Sequence, residues 1–157
     1  MEIAFNAQEL ERVNKIKDHY PTEQAALMPV LWLAQRTFGW ISPDVMQYVA
    51  DLLHLPFAQV EGVATFYTMY FKKPMGKYHV QVCTNVSCML MDGDSIYHHV
   101  SKKYGLKNME TTSDGKFSLE EVECMGACGG APVVVINEDY YELSSIESID
   151  KLLESLN

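Results

Sequence analysis

The four cysteines of the chain fall into two closely spaced pairs, and each pair lies in a turn-forming stretch. Cys83 and Cys88 enclose Thr-Asn-Val-Ser, whereas Cys124 and Cys128 enclose Met-Gly-Ala and precede Gly-Gly-Ala-Pro. Cysteine thiolates are ligands for soft or borderline metals such as iron and zinc. Four thiolates in two loops therefore predict a metal site, and the metal largely decides the function.

Three other uses of four cysteines stay open at this point, although the sequence fits each of them less well. Disulfides are typical of exported chains, but the first residues, Met-Glu-Ile-Ala-Phe, show no sign of a secretory signal. Thiol–disulfide catalysis uses a Cys-x-x-Cys pair, and neither pair has that spacing. A structural zinc site, the main alternative, most often uses two Cys-x-x-Cys knuckles.

A 2Fe–2S cluster fits the pattern better, because it takes its thiolates as two pairs, one pair on each iron. Gly126, Gly129 and Gly130 surround the second pair. Glycine lets the backbone fold so that amide N–H groups point at the sulfurs. Reduction adds negative charge to a centre that is already anionic, and the chain itself carries a net charge of −9. We therefore expect a low reduction potential.

Other residues near the pairs are not expected to bind the metal. His79, His98 and His99 lie outside both pairs, and we predict that they are surface residues or have partners of their own. Met89, Met91 and Met125 could shield a cluster from water, but their more common role is to fill gaps in a core.

Composition excludes several classes of function. The chain has 157 residues, of which 48% are hydrophobic, so it is long enough to bury a core. The acidic net charge of −9 argues against nucleic-acid binding. No apolar stretch approaches the roughly 20 residues of a membrane span. The sequence lacks a P-loop and a Gly-x-Gly-x-x-Gly turn, and no catalytic set of side chains stands out.

The first part of the chain, residues 1–74, is predicted to be helical. Asn6 and Glu9 form a capping-box pattern, and Ser42 followed by Pro43 marks another helix start. Pro29 either kinks the second helix or lies in its first turn. The predicted helices run from Asn6 to about Tyr20, from about Glu23 to Phe38, from Ser42 to about Leu52, and from about Pro56 to Phe66. The turn-rich residues 72–76 are the predicted domain boundary.

The second part, residues 75–157, has the pattern β-α-β-β-β-α, so the fold class is α+β. The predicted strands cover residues 78–82, about 116–122, 133–136 and 140–143. Residues 109–112 could add a hairpin arm before the Asp114-Gly115 turn. The predicted helices cover residues 94–104 and a last segment that begins with a capping box of Ser144 and Glu147. This order is typical of a thioredoxin-like domain, with both cysteine pairs in loops at one end of the sheet.

Four segments of the sequence resemble one family, the thioredoxin-like 2Fe–2S subunits of NADH:quinone oxidoreductase (respiratory complex I). They are the residues around the two cysteine pairs, 83–88 and 124–132, together with 60–67 and 39–41. The match covers nearly the whole chain. Related subunits of NAD-linked hydrogenases and formate dehydrogenases share these signatures, so they remain an alternative.

The resemblance implies a role in electron transfer. Cys83, Cys88, Cys124 and Cys128 would bind one 2Fe–2S cluster, which accepts one electron from the reduced flavin of a partner subunit. That partner would bind FMN and NADH, and the chain alone would be an electron carrier without a substrate site. Residues 1–74 would serve docking and packing, and the isolated chain would be able to form a homodimer. The complex would place the chain in its peripheral arm, on the cytoplasmic side of the inner membrane.

Overall fold

The computed structural model describes residues 3–156, and the chain divides into two compact units, Met1–Pro74 and Met75–Asn157. Four helices make up the described part of the first unit: α1 (Ala7–Asp18), α2 (Leu27–Phe38), α3 (Pro43–Leu52) and α4 (Phe57–Phe66). Within residues 3–156, no helix is long and apolar enough to cross a membrane.

The helix starts in the first unit follow their capping residues. Asn6 and Glu9 form the predicted capping box, in which the Asn6 side chain accepts from the backbone of α1 and Glu9 accepts the Asn6 N–H at 2.8 Å. Ser42 accepts the N–H of Val45 at 3.2 Å, and Pro43 takes the first position of α3. Both helix starts are therefore confirmed.

Helix α2 begins later than the sequence indicated. The expected start near Glu23 is wrong, because α2 begins at Leu27 and Pro29 lies in its first turn. A proline ring clashes with the carbonyl four residues before it and cannot donate a helical hydrogen bond, so a regular helix cannot run far ahead of it. The preceding residues form turns, with the Ala25 N–H bonded to the Thr22 carbonyl at 3.2 Å.

The core of the first unit contains one buried phenol. Tyr70 is fully buried, and its hydroxyl donates to the Met28 carbonyl at 2.9 Å. Burial, with a smaller effect from Tyr67, raises the pKa of Tyr70 to about 12. Tyr70 therefore packs in the core, whereas Phe66, at the end of α4, is 77% exposed.

The second unit is a five-stranded sheet with helices, which confirms the α+β class. The strands are β1 (Tyr78–Cys83), β2 (Glu110–Thr111), β3 (Phe117–Val122), β4 (Val134–Ile136) and β5 (Asp139–Tyr141), in the spatial order β2-β3-β1-β4-β5. Strand β1 runs parallel to β3 and antiparallel to β4. The helices are α5 (Val86–Leu90), α6 (Gly93–Tyr104) and α7 (Ile146–Ser155).

Alternation along β1 separates the two faces of the sheet. Val80 and Val82 join the buried cluster that includes residues of α6 and α7. Cys83, one position further on, belongs to a second buried cluster with Cys88, Val133 and Val135. The cysteine at the end of β1 therefore packs apart from the main core of the unit.

Two details of the second unit differ from the predicted pattern, and a third resolves an alternative that the sequence left open. Helix α5 was not predicted, and residues 109–112 do provide a hairpin arm, the short strand β2 that pairs with β3. The last capping box uses Ser145 and Ser148 and not Ser144 and Glu147. Ser144 is buried, and its hydroxyl donates to the Tyr141 carbonyl at 2.8 Å, so it is occupied elsewhere.

Candidate metal centre

The first cysteine pair is built by the end of β1 and the short helix α5. Cys83 is the last residue of β1 and is 3% exposed, and Cys88 lies within α5 and is 2% exposed. Asn85 caps α5, because its side-chain oxygen accepts the Val86 N–H at 2.7 Å. The turn into α5 folds the chain back so that both cysteines join one buried cluster.

Gly93 allows the backbone to pass close behind this pair. A Cβ atom at Gly93 would lie 2.8 Å from the Cys83 carbonyl oxygen and 2.9 Å from that of Cys88. Both distances are too short for a side chain, and the obstacles are backbone atoms that cannot move freely. The first residue of α6 must therefore be glycine if the Cys83–Cys88 loop is to keep its shape.

The second pair lies on the surface, after β3. Cys124 follows the end of β3 by two residues, Cys128 opens a short 3-10 helix that ends at Gly130, and both cysteines are exposed. Gly126 has a φ of +73°, and its N–H donates to Cys124 Sγ at 3.3 Å. The expectation that a glycine turns its amide toward a sulfur is met at this position.

Hydrogen bonds join the two cysteine loops to each other and to the sheet. The Asn85 amide donates to the Glu123 carbonyl at 2.6 Å, and the Thr84 hydroxyl donates to the Glu121 carboxylate at 3.0 Å. On the other side, the Tyr140 hydroxyl donates to the Met125 carbonyl at 3.4 Å. Both pairs are thereby held at the same end of the sheet, where the parallel strands β1 and β3 finish.

Cysteines of both pairs contribute to the electrostatic environment of the Cys88 thiol. The pKa of the Cys88 thiol is raised, mainly by burial and then by its hydrogen bond with Cys83, with a further contribution from the charge of Cys128. A backbone hydrogen bond at Val133 acts in the opposite direction. Residues of both pairs therefore lie close enough to affect one buried sulfur, and a metal must displace the Cys88 proton to bind it.

All four cysteines are free thiols. Within residues 3–156, the structure contains no group of three or more His, Cys, Asp or Glu side chains arranged to hold one metal ion. A two-iron cluster takes two thiolates on each iron, so its ligands surround a larger volume than the ligands of one ion.

The histidines that were not expected to bind the metal have partners of their own or face solvent. His79 is buried, with Nδ1 2.8 Å from Ser118 Oγ and Nε2 2.9 Å from Glu120 Oε2. His99 Nε2 lies 2.9 Å from Asp150 Oδ1, and His98 is exposed. These residues occupy other parts of the unit, as the sequence indicated.

An apolar rim of exposed side chains surrounds the cysteine loops. Met89 and Met91 are 45% and 55% exposed, so the interpretation of them as core residues is wrong, and only Met125 packs against the cysteine cluster. The reason is that α5 is too short to bury a second face. The rim comprises Val86, Met89, Leu90 and Met91 near the first pair and Tyr140 and Leu143 near the second.

Asn85 and Gly93 are the site residues that sequence reasoning did not identify. An N-cap type of residue between two cysteines was a signal for α5 and for the role of Asn85. The need for glycine at position 93 depends on the path of a neighbouring loop, for which the sequence offers no local signal.

Comparison with known proteins agrees with this architecture. Residues 13–157 match the family model of the thioredoxin-like 2Fe-2S ferredoxins. The chain is 46% identical over 154 residues to the E subunit of the NADH-quinone oxidoreductase of Rickettsia prowazekii (strain Madrid E), covering 96% of this chain and 87% of that protein. It is 44% identical over 154 residues to the protein of the same name from Rickettsia typhi (strain ATCC VR-144 / Wilmington), covering 96% of this chain and 91% of that one.

Among solved structures, a chain of an NAD+-reducing NiFe hydrogenase in the H2-reduced state has a similar fold, with a TM-score of 0.72 and 19% identity. The match covers 83% of this chain and 22% of the hydrogenase chain, so this chain spans about a fifth of that chain's length. A likeness at this identity shows the fold alone. From the family model and the curated relatives together, the chain belongs to the thioredoxin-like 2Fe–2S ferredoxin family.

Proposed function

We propose that Cys83, Cys88, Cys124 and Cys128 bind one 2Fe–2S cluster and that the chain is an electron-transfer subunit of an NADH-quinone oxidoreductase. The observation that carries this proposal is that two cysteine loops, joined by a hydrogen bond from Asn85 to the Glu123 carbonyl, follow neighbouring parallel strands of the sheet in a chain of this family. When bound, such a cluster supplies a centre that accepts and returns one electron.

The chain's own residues suit an anionic centre. Cys83 and Cys88 pack with Ala131, Val133 and Val135, which keep water from their sulfurs. The Gly126 N–H, 3.3 Å from Cys124 Sγ, offers a hydrogen bond to a thiolate that gains charge on reduction. Such N–H groups raise the potential, whereas the net charge of −9 lowers it.

The exposure of the second pair supports docking to an electron donor. Cys124 and Cys128 face solvent, so a partner can approach the site from that side without any movement of the core. The apolar rim around the loops gives that partner a surface to cover, and covering it would exclude water from the site. We infer that the partner is the subunit that binds FMN and NADH and that its reduced flavin donates one electron. Residues 1–74 would add docking and packing surface.

The relatives favour the respiratory complex among the alternatives. The curated proteins at 44–46% identity are named as subunits of NADH-quinone oxidoreductase. The hydrogenase chain is similar in fold at only 19% identity. An equivalent subunit of a hydrogenase or formate dehydrogenase therefore ranks second. A protein in which the four cysteines bind a structural zinc ion is the candidate from a different class of function.

The chain alone would then be a carrier and not a complete enzyme. Turnover of NADH would require the whole complex, with this chain in the peripheral arm on the cytoplasmic side of the membrane. The isolated chain would retain the ability to form a homodimer.

Electron transfer with the flavoprotein tests this function. The dithionite-reduced chain is freed of excess reductant and mixed anaerobically with the oxidised FMN-containing subunit, and absorbance follows both centres. We expect the cluster to be reoxidised rapidly, with a rate that saturates as the flavoprotein concentration rises. Reoxidation no faster than with free FMN at the same concentration would contradict the proposal. A Cys124→Ser variant is the control.

A further inference from the structure

Helices α1 and α2 border a cleft of about 770 Å³ in the first unit, whereas the cysteines belong to the second. Half-buried apolar side chains line its floor, and cations stand on its rim. The floor is formed by Ile16, Trp32 and Leu33, and the cations are Arg12, Lys15 and Arg36.

The floor of the cleft is a second apolar face of α2. The first face, with Val30, Leu31 and Ala34, is buried in the core of the unit. Trp32 and Leu33 are only half-buried, and they line the cleft. Both side chains also pack against the buried core of the unit, and the Trp32 ring meets the Tyr70 ring edge-on with 5.9 Å between their centres, so the floor of the cleft is the outer side of that packing.

The charge at the rim is opposite to that of the chain. Among the described residues that line the cleft, three cations accompany one carboxylate, Glu9, in a chain whose net charge is −9. Glu9 is already engaged, because it accepts the Asn6 N–H at 2.8 Å and the Thr37 hydroxyl at 3.0 Å. The cleft is therefore a local positive site on an acidic protein.

Lys15 has an exchangeable partner, and Arg36 lies beside the apolar floor. Lys15 pairs with Glu11 at 2.7 Å, but both side chains are about two-thirds exposed, so the pair can be exchanged at little cost. The Arg36 guanidinium lies 5.8 Å from the centre of the Trp32 ring, which places a cation directly beside the apolar floor.

We propose that this cleft binds an acidic segment of a partner subunit, in which an apolar side chain stands between carboxylates. The apolar side chain would cover Trp32 and Leu33, and the carboxylates would reach Arg12 and Lys15. Because the chain is acidic overall, most of its surface would repel an acidic segment. The positive cleft would therefore determine where on the chain that segment binds. The inference rests on the proposed function in one respect, that the partner belongs to the same complex.

Tryptophan fluorescence tests binding in the full chain. The chain has two tryptophans, and a Trp40→Phe background leaves Trp32 as the reporter. The probe is the capped peptide Glu-Glu-Leu-Glu-Glu-Leu, compared with Gln-Gln-Leu-Gln-Gln-Leu, with Glu-Glu-Ser-Glu-Glu-Ser and with inorganic phosphate. We expect a saturable change in Trp32 emission with the first peptide, and binding at least about tenfold weaker with each of the others.

Charge reversal at the rim gives the second test. Arg12→Glu with Lys15→Glu should weaken binding of the acidic peptide about tenfold or more and should remove its salt dependence. The variant with Arg12→Gln and Lys15→Gln removes the same charges without introducing new ones and should also weaken binding. Circular dichroism of both variants would detect any misfolding. Lys102→Glu with Lys107→Glu changes the net charge equally on the other unit and should leave binding unchanged.

Assembly with the flavoprotein separates this inference from the proposed function. The rim variants should keep the visible spectrum and the electron transfer of a saturated complex, but should need about tenfold more partner to assemble. Equal binding of all the probes, or unchanged assembly by the rim variants, would overturn the cleft proposal and leave the proposed function standing. A failure of electron transfer in the unaltered chain would contradict only the proposed function.

Discussion

The side-chain amide of Asn85 donates to the backbone carbonyl of Glu123 at 2.6 Å and so ties the first cysteine loop to the second. The same side chain caps α5 with its oxygen, 2.7 Å from the Val86 nitrogen. One asparagine therefore fixes the helix that carries Cys88 and the loop that leads to Cys124. This double role makes it the main positioning residue of the site.

Replacing Asn85 with Asp should separate the two roles. Aspartate keeps the capping oxygen but loses the N–H donor, and its carboxylate would face the Glu123 carbonyl. We expect a loss of about 1–3 kcal/mol in the free energy of unfolding and faster loss of bound iron. Denaturant unfolding and the decay of visible absorbance measure the two effects.

Thr84→Val is the matched control, because it removes only the surface bond from Thr84 to Glu121. It should change stability by less than about 0.5 kcal/mol. Equal effects of the two substitutions would refute the positioning role of Asn85.

Gly93→Ala should disrupt the first cysteine loop. The new methyl group would meet the carbonyl oxygens of Cys83 and Cys88, at 2.8 Å and 2.9 Å, so the backbone would have to shift. We expect a loss of stability above about 2 kcal/mol and a reduced yield of cluster-bearing protein.

Gly62→Ala serves as the control for this change. Gly62 lies in α4, and a Cβ there meets nothing within 4 Å. Alanine should stabilise the helix by roughly 0.5–1 kcal/mol. If Gly93→Ala behaved like Gly62→Ala, the close approach behind the cysteines would not be a constraint.

The buried phenol of Tyr70 predicts an alkaline dependence of stability. Its pKa is raised by burial from 10.0 to about 12, so the unfolded chain loses this proton at lower pH than the folded chain. The contribution of the neutral phenol is fully present below pH 10 and is lost as the pH rises to about 12.

Tyr70→Phe removes this dependence together with the hydrogen bond to the Met28 carbonyl. We expect the variant to be about 1–2 kcal/mol less stable at pH 7, with the deficit shrinking above pH 10. Tyr20→Phe, at a surface position, should show neither effect. A deficit that stays constant from pH 8 to pH 11.5 would show that the Tyr70 proton is not linked to folding.

The ligand assignment predicts opposite results at Cys124 and His79. Cys124→Ala should abolish the cluster spectrum or force another ligand into its place. His79→Ala should lower stability by about 2–3 kcal/mol, since it breaks buried contacts with Ser118 and Glu120, and should leave the spectrum nearly unchanged. A large spectral change in the histidine variant would refute the assignment.

Much of the fold could be predicted because its signals are local. The Asn6–Glu9 capping box and the alternation along residues 78–82 lie within a few residues of the elements that they determine. One of the errors arose where a contact within a turn competed with a capping role. Ser144 fits a helix cap in sequence, but its burial against the Tyr141 carbonyl moves the cap to Ser145.

The sequence indicated where the two cysteine loops lie along the chain, but not the contacts that hold them in place. Cysteine type and spacing indicated a metal centre, and the glycines around the second pair indicated an amide aimed at sulfur, which Gly126 provides. The bond from Asn85 to Glu123 joins residues 38 apart, and the constraint on Gly93 depends on where two carbonyl groups lie. Neither follows from a local sequence pattern, because the first depends on how β1 and β3 bring their following loops together and the second on the path of the Cys83–Cys88 loop.

Metal and sulfide analysis of the anaerobically purified chain, combined with electron paramagnetic resonance before and after dithionite, tests the central claim most directly. The account predicts two irons and two acid-labile sulfides per chain, visible absorbance that dithionite bleaches, and a paramagnetic signal only in the reduced protein. The signal should be lost or altered in the Cys124→Ala variant. A colourless protein that holds one zinc ion and no sulfide would contradict the account.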